Sequence, residues 1–352
     1  MTVSPILRGA TLSGLLTLAA TTPGAWAASL QSFSGVVGGA GNGSIAGGCT
    51  TYGPPAELAF FGGFAGGLAV LGGNAACGYS GGWSNLTSTT STAPLYNSAS
   101  LAPTVLGIPG YAEYFDGTAA SRASYGSLGA TAHGKYSGSP VSYTAGTTIA
   151  ASVAAASFSD TLTASVSHTY TDFSTSGFVR YRFSVDGAMS TPGVSQAFFN
   201  GEALTALMLQ QDSGPIYGLM NAYTRTEHTG YINGAPAVGG GWTIAPGAIS
   251  GSSVFSSDKF AVDLTSSWNL TVGLIVDAFG NADSAFYNSA ELVGIDLFDS
   301  LGNPITEFTL NAASGTDYLG SGPVVAVPEP GTWALMAAGL TGLAFVRRRR
   351  VR

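Results

Sequence analysis

The sequence predicts a mainly β protein: an antiparallel β-sandwich or jelly-roll-like body with an N-terminal signal helix and a single C-terminal transmembrane helix. Three observations lead there. Apolar and polar residues alternate over many short runs, the period of a half-buried strand. Only 9% of the residues are charged, against about 25% in an average soluble domain, too few to clothe exposed helix faces. Glycine supplies 51 of 352 residues, many of them in the turn-forming clusters with Ser and Asn that separate the runs. At 45% hydrophobic content the chain can still build a core, which excludes wholesale disorder.

The strands follow in order. Residues 147–170 are rich in Ala, Ser, Thr and Val and read as one or two strands. From Phe178 to Gly187, Val179, Tyr181, Phe183 and Val185 form one face, and Arg180, Arg182, Ser184 and Asp186 the other. That is the pattern of an antiparallel strand with one wet side. Glu202–Gln211 would suit a helix by its Ala, Leu and Met content, but strand is the favoured reading. Leu270, Val272, Leu274 and Val276 form a second inward face, and Val293, Ile295 and Leu297 a third. Asp299 to Pro304 is turn chemistry, with Ile305 to Leu310 expected to return as the partner strand.

The ends differ from the body. Residues 1–27 read as a secretory signal peptide. Arg8 supplies the positive start, Gly9 to Ala20 the apolar run, and Ala25-Trp26-Ala27 an A-x-A cleavage site, so that the mature chain begins at Ala28. An uncleaved anchor is the alternative, but the run falls short of the roughly 20 residues a span needs. Residues 28–326 form the body. In 327–352, Val327-Pro328-Glu329-Pro330-Gly331 precedes an uncharged stretch, 332–346, containing Trp333. Arg347, Arg348, Arg349 and Arg350 open the basic tail, 347–352. Proline cannot continue a strand or helix, so 327–331 is expected to be extended. Residues 332–346 form a short membrane helix, and the arginines mark its cytoplasmic end. A plain C-terminal anchor would need no Pro-Glu-Pro.

This order of Val-Pro-Glu-Pro, Trp333-Ala334-Leu335, short helix and terminal arginines resembles the PEP-CTERM sorting signal of Gram-negative bacteria. The resemblance covers about the last 26 residues and implies a definite route. The Sec machinery exports the chain, and the precursor sits in the inner membrane with its body periplasmic. Exosortase then cleaves near Glu329, and the body passes to the cell surface or extracellular matrix. Carriers of this signal usually belong to species that make exopolysaccharide, which makes such a polymer a candidate partner. Segments Ser157 to Thr163, Tyr181 to Gly187 and Ala312 to Tyr318 also loosely resemble ectodomains attached to this signal, which implies a sandwich and no activity.

Residues 35–82 have another texture, with repeated glycine pairs and no charge from Leu58 to Gly73. An irregular Gly-rich insertion packed on the sandwich is the favoured reading; Gly62 and Gly66, spaced as G-x-x-x-G, keep a membrane reading open. Cys49 and Cys77 are the only two cysteines, lie in the same segment and belong to an oxidising compartment. They are expected to form a disulfide, worth about 3–4 kcal/mol in the chain-entropy description.

Charge excludes some partners. The formal net charge is −7, and six of the twelve basic residues lie in the two ends. The acidic body is not built for nucleic acid. Catalytic, cofactor and metal sites are not expected. His133, His168 and His228 are scattered, without zinc spacing. Gly78-Tyr79-Ser80-Gly81-Gly82 fits G-x-S-x-G, but that elbow needs a strand before Ser80 and a helix after it. Asp277 to Asp283 is similar in composition to a calcium loop but lacks its spacing and late glutamate. The resulting expectation is a non-catalytic surface or matrix protein. A secreted carbohydrate-binding module is the alternative, and a secreted hydrolase a weaker one. Trp242, Tyr217, Tyr223 and Tyr231 would support the second reading if they shared a solvent face, although core packing is the favoured role for most of them.

Overall fold

The computed structural model describes residues 28–40, 79–83, 87–105, 114–137, 148–166, 175–192, 201–226, 228–233 and 241–319. These residues form two antiparallel sheets of nine strands each. Sheet I runs from β11 (His228–Asn233) through β10 (Tyr217–Arg225), β9 (Glu202–Gln211), β15 (Ser267–Phe279), β7 (Thr148–Val166) and β1 (Ser29–Ala40) to β2 (Tyr79–Trp83). Beside this path, β3 (Thr87–Thr89) pairs with β1, and β18 (Phe308–Ala312) with β7. Sheet II runs from β12 (Trp242–Ala245) through β13 (Ala248–Ser256), β8 (Ser176–Ser190), β16 (Ala282–Phe298), β6 (Ser127–Ser137) and β5 (Tyr114–Ser124) to β4 (Leu95–Val105). β14 (Phe260–Asp263) pairs with β8, and β17 (Pro304–Ile305) with β16.

The inner faces of the two sheets share one hydrophobic core, as in a sandwich. Strand β8 shows why. Val179, Tyr181, Phe183 and Val185 are fully buried while Arg180, Arg182 and Ser184 are half-exposed, as the alternation requires. From sheet I, Leu270, Val272, Leu274 and Val276 of β15 belong to the same core, all fully buried. Two polar side chains that enter this core, Tyr181 and Ser121, are paired. The Tyr181 hydroxyl accepts from Trp268 Nε1 at 2.9 Å and donates to Gln211 Oε1 at 3.2 Å. Ser121 Oγ of β5 donates to the Phe33 carbonyl of β1 at 2.9 Å.

The segment 147–170 yields one long strand, β7, and Glu202–Gln211 is a strand as expected. Four readings need correction. Val293 is 45% exposed, because the register of β16 on β8 shifts between Leu292 and Gly294, and such a bulge turns a side chain outward. Ile295 and Leu297 keep the inward face, at 4% and 1% exposure. After the Asp299 to Asn303 turn, the return strand is only Pro304–Ile305; the chain then crosses to sheet I as β18 instead of continuing along β16. Among the described residues the eighteen strands exceed the eight of a jelly roll. The Gly-rich stretch is not irregular at its edges, since Gly35–Ala40 end β1 and Tyr79–Gly82 open β2.

One glycine has a clear steric reason. A Cβ on Gly129 would lie 1.5 Å from the carbonyl oxygen of Tyr287. The register of β16 on β6 shifts between Phe286 and Ala290, and this bulge brings the Tyr287 backbone against β6.

Candidate functional site

The residues that lead toward the C-terminal segment marked for processing, 308–319, are the site of interest. β18 pairs with the end of β7, with Ala312 opposite Leu162. The Ala313 N–H then donates to the Thr161 carbonyl at 2.9 Å, and the chain turns at Gly315, whose φ is +77°. That left-handed value favours glycine.

This turn delivers two side chains onto Asp160, which is 2% exposed. The Tyr318 hydroxyl donates to Oδ2 at 2.7 Å, and the Ser314 hydroxyl donates to the same oxygen. The Ser314 N–H donates to Oδ1 at 3.0 Å, and so does the Thr161 N–H at 2.9 Å. Four donors on one carboxylate compensate its burial. The Tyr318 ring stacks on Phe158 with centroids 6.4 Å apart. Burial, and then the Asp160 charge, push the Tyr318 phenol far above its ordinary value. Gly126, at φ +80° in the β5–β6 turn, leaves room for that ring, since a Cβ there would lie 3.1 Å from it.

The N-terminal end arrives at the same pole. Ser29 lies opposite Ser159 in the β1–β7 register, and Ala28 packs against the core. Asp160 thus sits where both ends of the body meet. The loose resemblance singles out Ser157 to Thr163 and Ala312 to Tyr318, and the fold joins these two stretches. Their pairing is hidden in the sequence because Asp160 and Tyr318 are 158 residues apart. The available signal is that Asp160 is the only acidic residue between Asp116 and Asp172.

Residues 326–350, beginning eight residues after Tyr318, match the PEP-CTERM protein-sorting motif. The chain carries the C-terminal exosortase signal. It is therefore an exported protein with a PEP-CTERM tail. No curated protein and no solved structure matches the chain.

The residues named for processing, Ala25, Ala27, Val327, Pro328, Glu329, Pro330, Gly331, Trp333 and Arg347 to Arg350, lie outside the described residues. So do Cys49 and Cys77, and the two terminal segments, 1–27 and 332–346, expected from the sequence to be helical. Among the described residues, no helix is long and apolar enough to cross a membrane.

The other candidates from the sequence lie elsewhere in the fold. Ser80 is within strand β2, opposite Gly38 of β1, and the strand runs on to Trp83. A nucleophile elbow needs a turn there. Asp277 and Asp283 flank the crossing from sheet I to sheet II at Gly280-Asn281, and Asp283 pairs with His133. His228 is exposed opposite Arg225, and His168 lies outside the described residues. Among the described residues, no three His, Cys, Asp or Glu side chains gather as a metal site. The four aromatics do not share one face. Trp242 stacks on Phe286 at 6.3 Å, and Tyr217 meets the Phe260 ring edge-on at 4.8 Å. Tyr223 and Tyr231 form a cross-strand pair with rings 5.7 Å apart on the outer side of sheet I, Tyr231 being 49% exposed.

Proposed function

We propose that this is a non-catalytic surface or extracellular-matrix protein whose rigid body holds its sorting tail at one pole for exosortase. The Asp160 clamp supports the reading. It fixes the chain at Tyr318, ten residues before Pro328, so the motif can reach no more than about 35 Å from the sandwich when extended. Before signal cleavage the same pole carries the chain upstream of Ala28, so both membrane-directed segments would leave the body on one side. Residues 332–346 would hold the precursor in the inner membrane, with the arginines on the cytoplasmic side and the body in the periplasm. Pro328 and Pro330 would keep Val327 to Gly331 extended, the form a protease groove accepts. Cleavage near Glu329 would send the body to the surface or matrix, where exopolysaccharide is the candidate partner.

The test is Glu329→Ala, expressed in a host with an exosortase and followed by fractionation and immunoblot. Full-length precursor should accumulate in the inner membrane. Arg352→Ala should mature normally, because four arginines remain. Wild-type maturation of the Glu329 variant would reduce the tail to an anchor.

A carbohydrate-binding module is the second reading. Its support is the Tyr223–Tyr231 pair, since sugar rings stack on exposed tyrosines, and a pair is a small platform. A glycan screen with wild type and Tyr231→Ala tests it; binding lost in the variant would favour this reading.

A further inference from the structure

Asp160 is buried without a countercharge. It is 2% exposed, and among the described residues no Lys, Arg or His pairs with it. Its four hydrogen bonds satisfy the carboxylate oxygens but leave the charge, and a buried charge is ordinarily held beside an opposite one. The titratable groups that face it are two phenols, Tyr125 from the β5–β6 turn and Tyr318, each pushed up by burial first and by the Asp160 charge second. Neither carries a positive charge. From β15 the residue opposite Asp160 is Leu270. The Tyr125 hydroxyl, buried at the same pole, has no hydrogen-bond partner among the described residues.

The start of the body lies in the right place to supply the missing charge. β1 and β7 run antiparallel, with Ser29 opposite Ser159 and Leu30 opposite Phe158. One step further along that register puts Ala28 opposite Asp160, the two Cα atoms about 5 Å apart. Ala28 packs against the core, on the face that Leu30 and Asp160 share. While residue 27 is attached, the backbone nitrogen of Ala28 is a neutral amide. Cleavage after Ala27, the reading on which this inference rests, changes that. Hydrolysis of the Ala27–Ala28 peptide bond consumes one water and leaves a carboxylate on Ala27. The Ala28 amine keeps the proton and becomes an α-ammonium, charged below its ordinary value of about 8. Opposite charges within about 6 Å stabilise each other's charged forms.

We propose that the α-ammonium released at Ala28 is the countercharge of Asp160, with the Tyr125 hydroxyl as a further acceptor, and that signal cleavage thereby tightens the clamp on Tyr318 before the sorting tail is cut. The coupling follows from the connections. Ser314 and Tyr318 are held through Asp160, so a charge that fixes this carboxylate fixes the turn from which the sorting tail departs. Removal of the signal at one end of the chain is registered at the other, and exosortase meets a locked junction only after signal cleavage.

The test uses the chain from Ala28 to Arg352, purified in detergent from the membranes of a host that lacks exosortase. N-terminal sequencing comes first. A start other than Ala28 refutes the cleavage site and the proposal with it; a start at Ala28 leaves the proposal to stand or fall alone. In a variant with Gly-Ser inserted between Ala27 and Ala28, cleavage after Ala27 leaves the amine about 7 Å further out. Acetylation of the N-terminal peptide against pH, read by mass spectrometry, follows the titration of the amine. In the wild type it should titrate at about pH 9 or above, and in the insertion variant at its ordinary value of about 8. Proteolysis within 313–319 at pH 7 should run about tenfold faster in the insertion variant, the factor that one pH unit in the amine represents. Because the folded amine is raised, the wild-type advantage is complete below about pH 8 and is lost as pH climbs through the folded value. Asp160→Asn should abolish both differences. Should that variant fail to fold, the wild-type and insertion titrations decide the matter by themselves. An amine that titrates at about 8 in the wild type, or a turn cut equally fast in both chains at pH 7, would overturn the proposal.

Discussion

Changing Asp160 to Ala tests whether the junction before the sorting signal is a clamp or only a contact. The substitution removes the acceptor of four hydrogen bonds, from the Tyr318 hydroxyl, the Ser314 hydroxyl, the Ser314 N–H and the Thr161 N–H. Bonds to a charged group contribute about 1.5–3 kcal/mol each, and a buried donor left unpaired costs about 1–3 kcal/mol. The four share one carboxylate and do not add, and the turn can swing out to water, which caps the loss at the free energy that docks it. A loss of about 3–5 kcal/mol is expected on these grounds. For a body of this size that is a fall in Tm of roughly 6–15 °C. Tyr318→Phe keeps the stack on Phe158 and removes one donor, so it should cost only about 1–2 kcal/mol. The assay is urea and thermal unfolding of residues 28–326, with limited proteolysis at 313–319 as the local readout. Faster cleavage there should accompany the loss of stability. If Asp160→Ala unfolds with the wild type to within about 0.5 kcal/mol, a difference no larger than an ordinary surface change, and its turn resists protease equally, the clamp does not exist.

Two further expectations concern pH. Burial holds the phenols of Tyr181 and Tyr318 far above their ordinary value, and that of Tyr223 is pushed up to about 12. Because the folded values are raised, their contribution is complete below the unfolded phenol value near 10 and is lost as pH climbs above it. Urea midpoints should fall steeply from pH 9 to pH 11, and a flat profile would refute this. Burial, with the Glu202 charge as a lesser cause, also raises the Asp277 carboxyl well above the usual carboxylate range, against the Ala278 N–H that lowers it. Its stabilising share is therefore complete below about pH 4, the unfolded aspartate value, and is lost as pH rises through the folded one. Glu202, ion-paired to Arg225, is the charged neighbour on the same face. Asp277→Asn should gain stability relative to wild type between pH 3.5 and pH 7, and parallel denaturation profiles would contradict the raised value.

Much of the fold was legible because strand alternation reports which side is wet. Strand β8 is the clearest case: four apolar residues point in, and Arg180 and Arg182 point out to share Asp296, at 2.8 Å and 3.2 Å. The failures have local causes. The alternation of Val293, Ile295 and Leu297 is genuine, but a bulge shifts the register and rotates Val293 outward, and nothing in the composition of that run marks it. Ile305 to Leu310 has strand composition, yet the choice between extending β16 and crossing to β7 depends on contacts that no local pattern encodes. The Asp160 clamp shows the same limit over a longer distance. A lone acid in an Ala, Ser and Thr run states that something must pair with it, but not what.

The distribution of charge explains why the two sheets differ. A strand whose two faces are both dry loses its alternation and becomes a continuous run of small or apolar residues. Ala150 to Ala156 of β7 is such a run, and β15 carries another, the unbroken buried stretch from Val272 to Ala278. Outward charges lie on sheet II at Arg180, Arg182, Asp186 and Asp296, and on sheet I at the ion pair of Glu202 and Arg225. A chain with 9% charged residues has few with which to wet a second nine-stranded sheet.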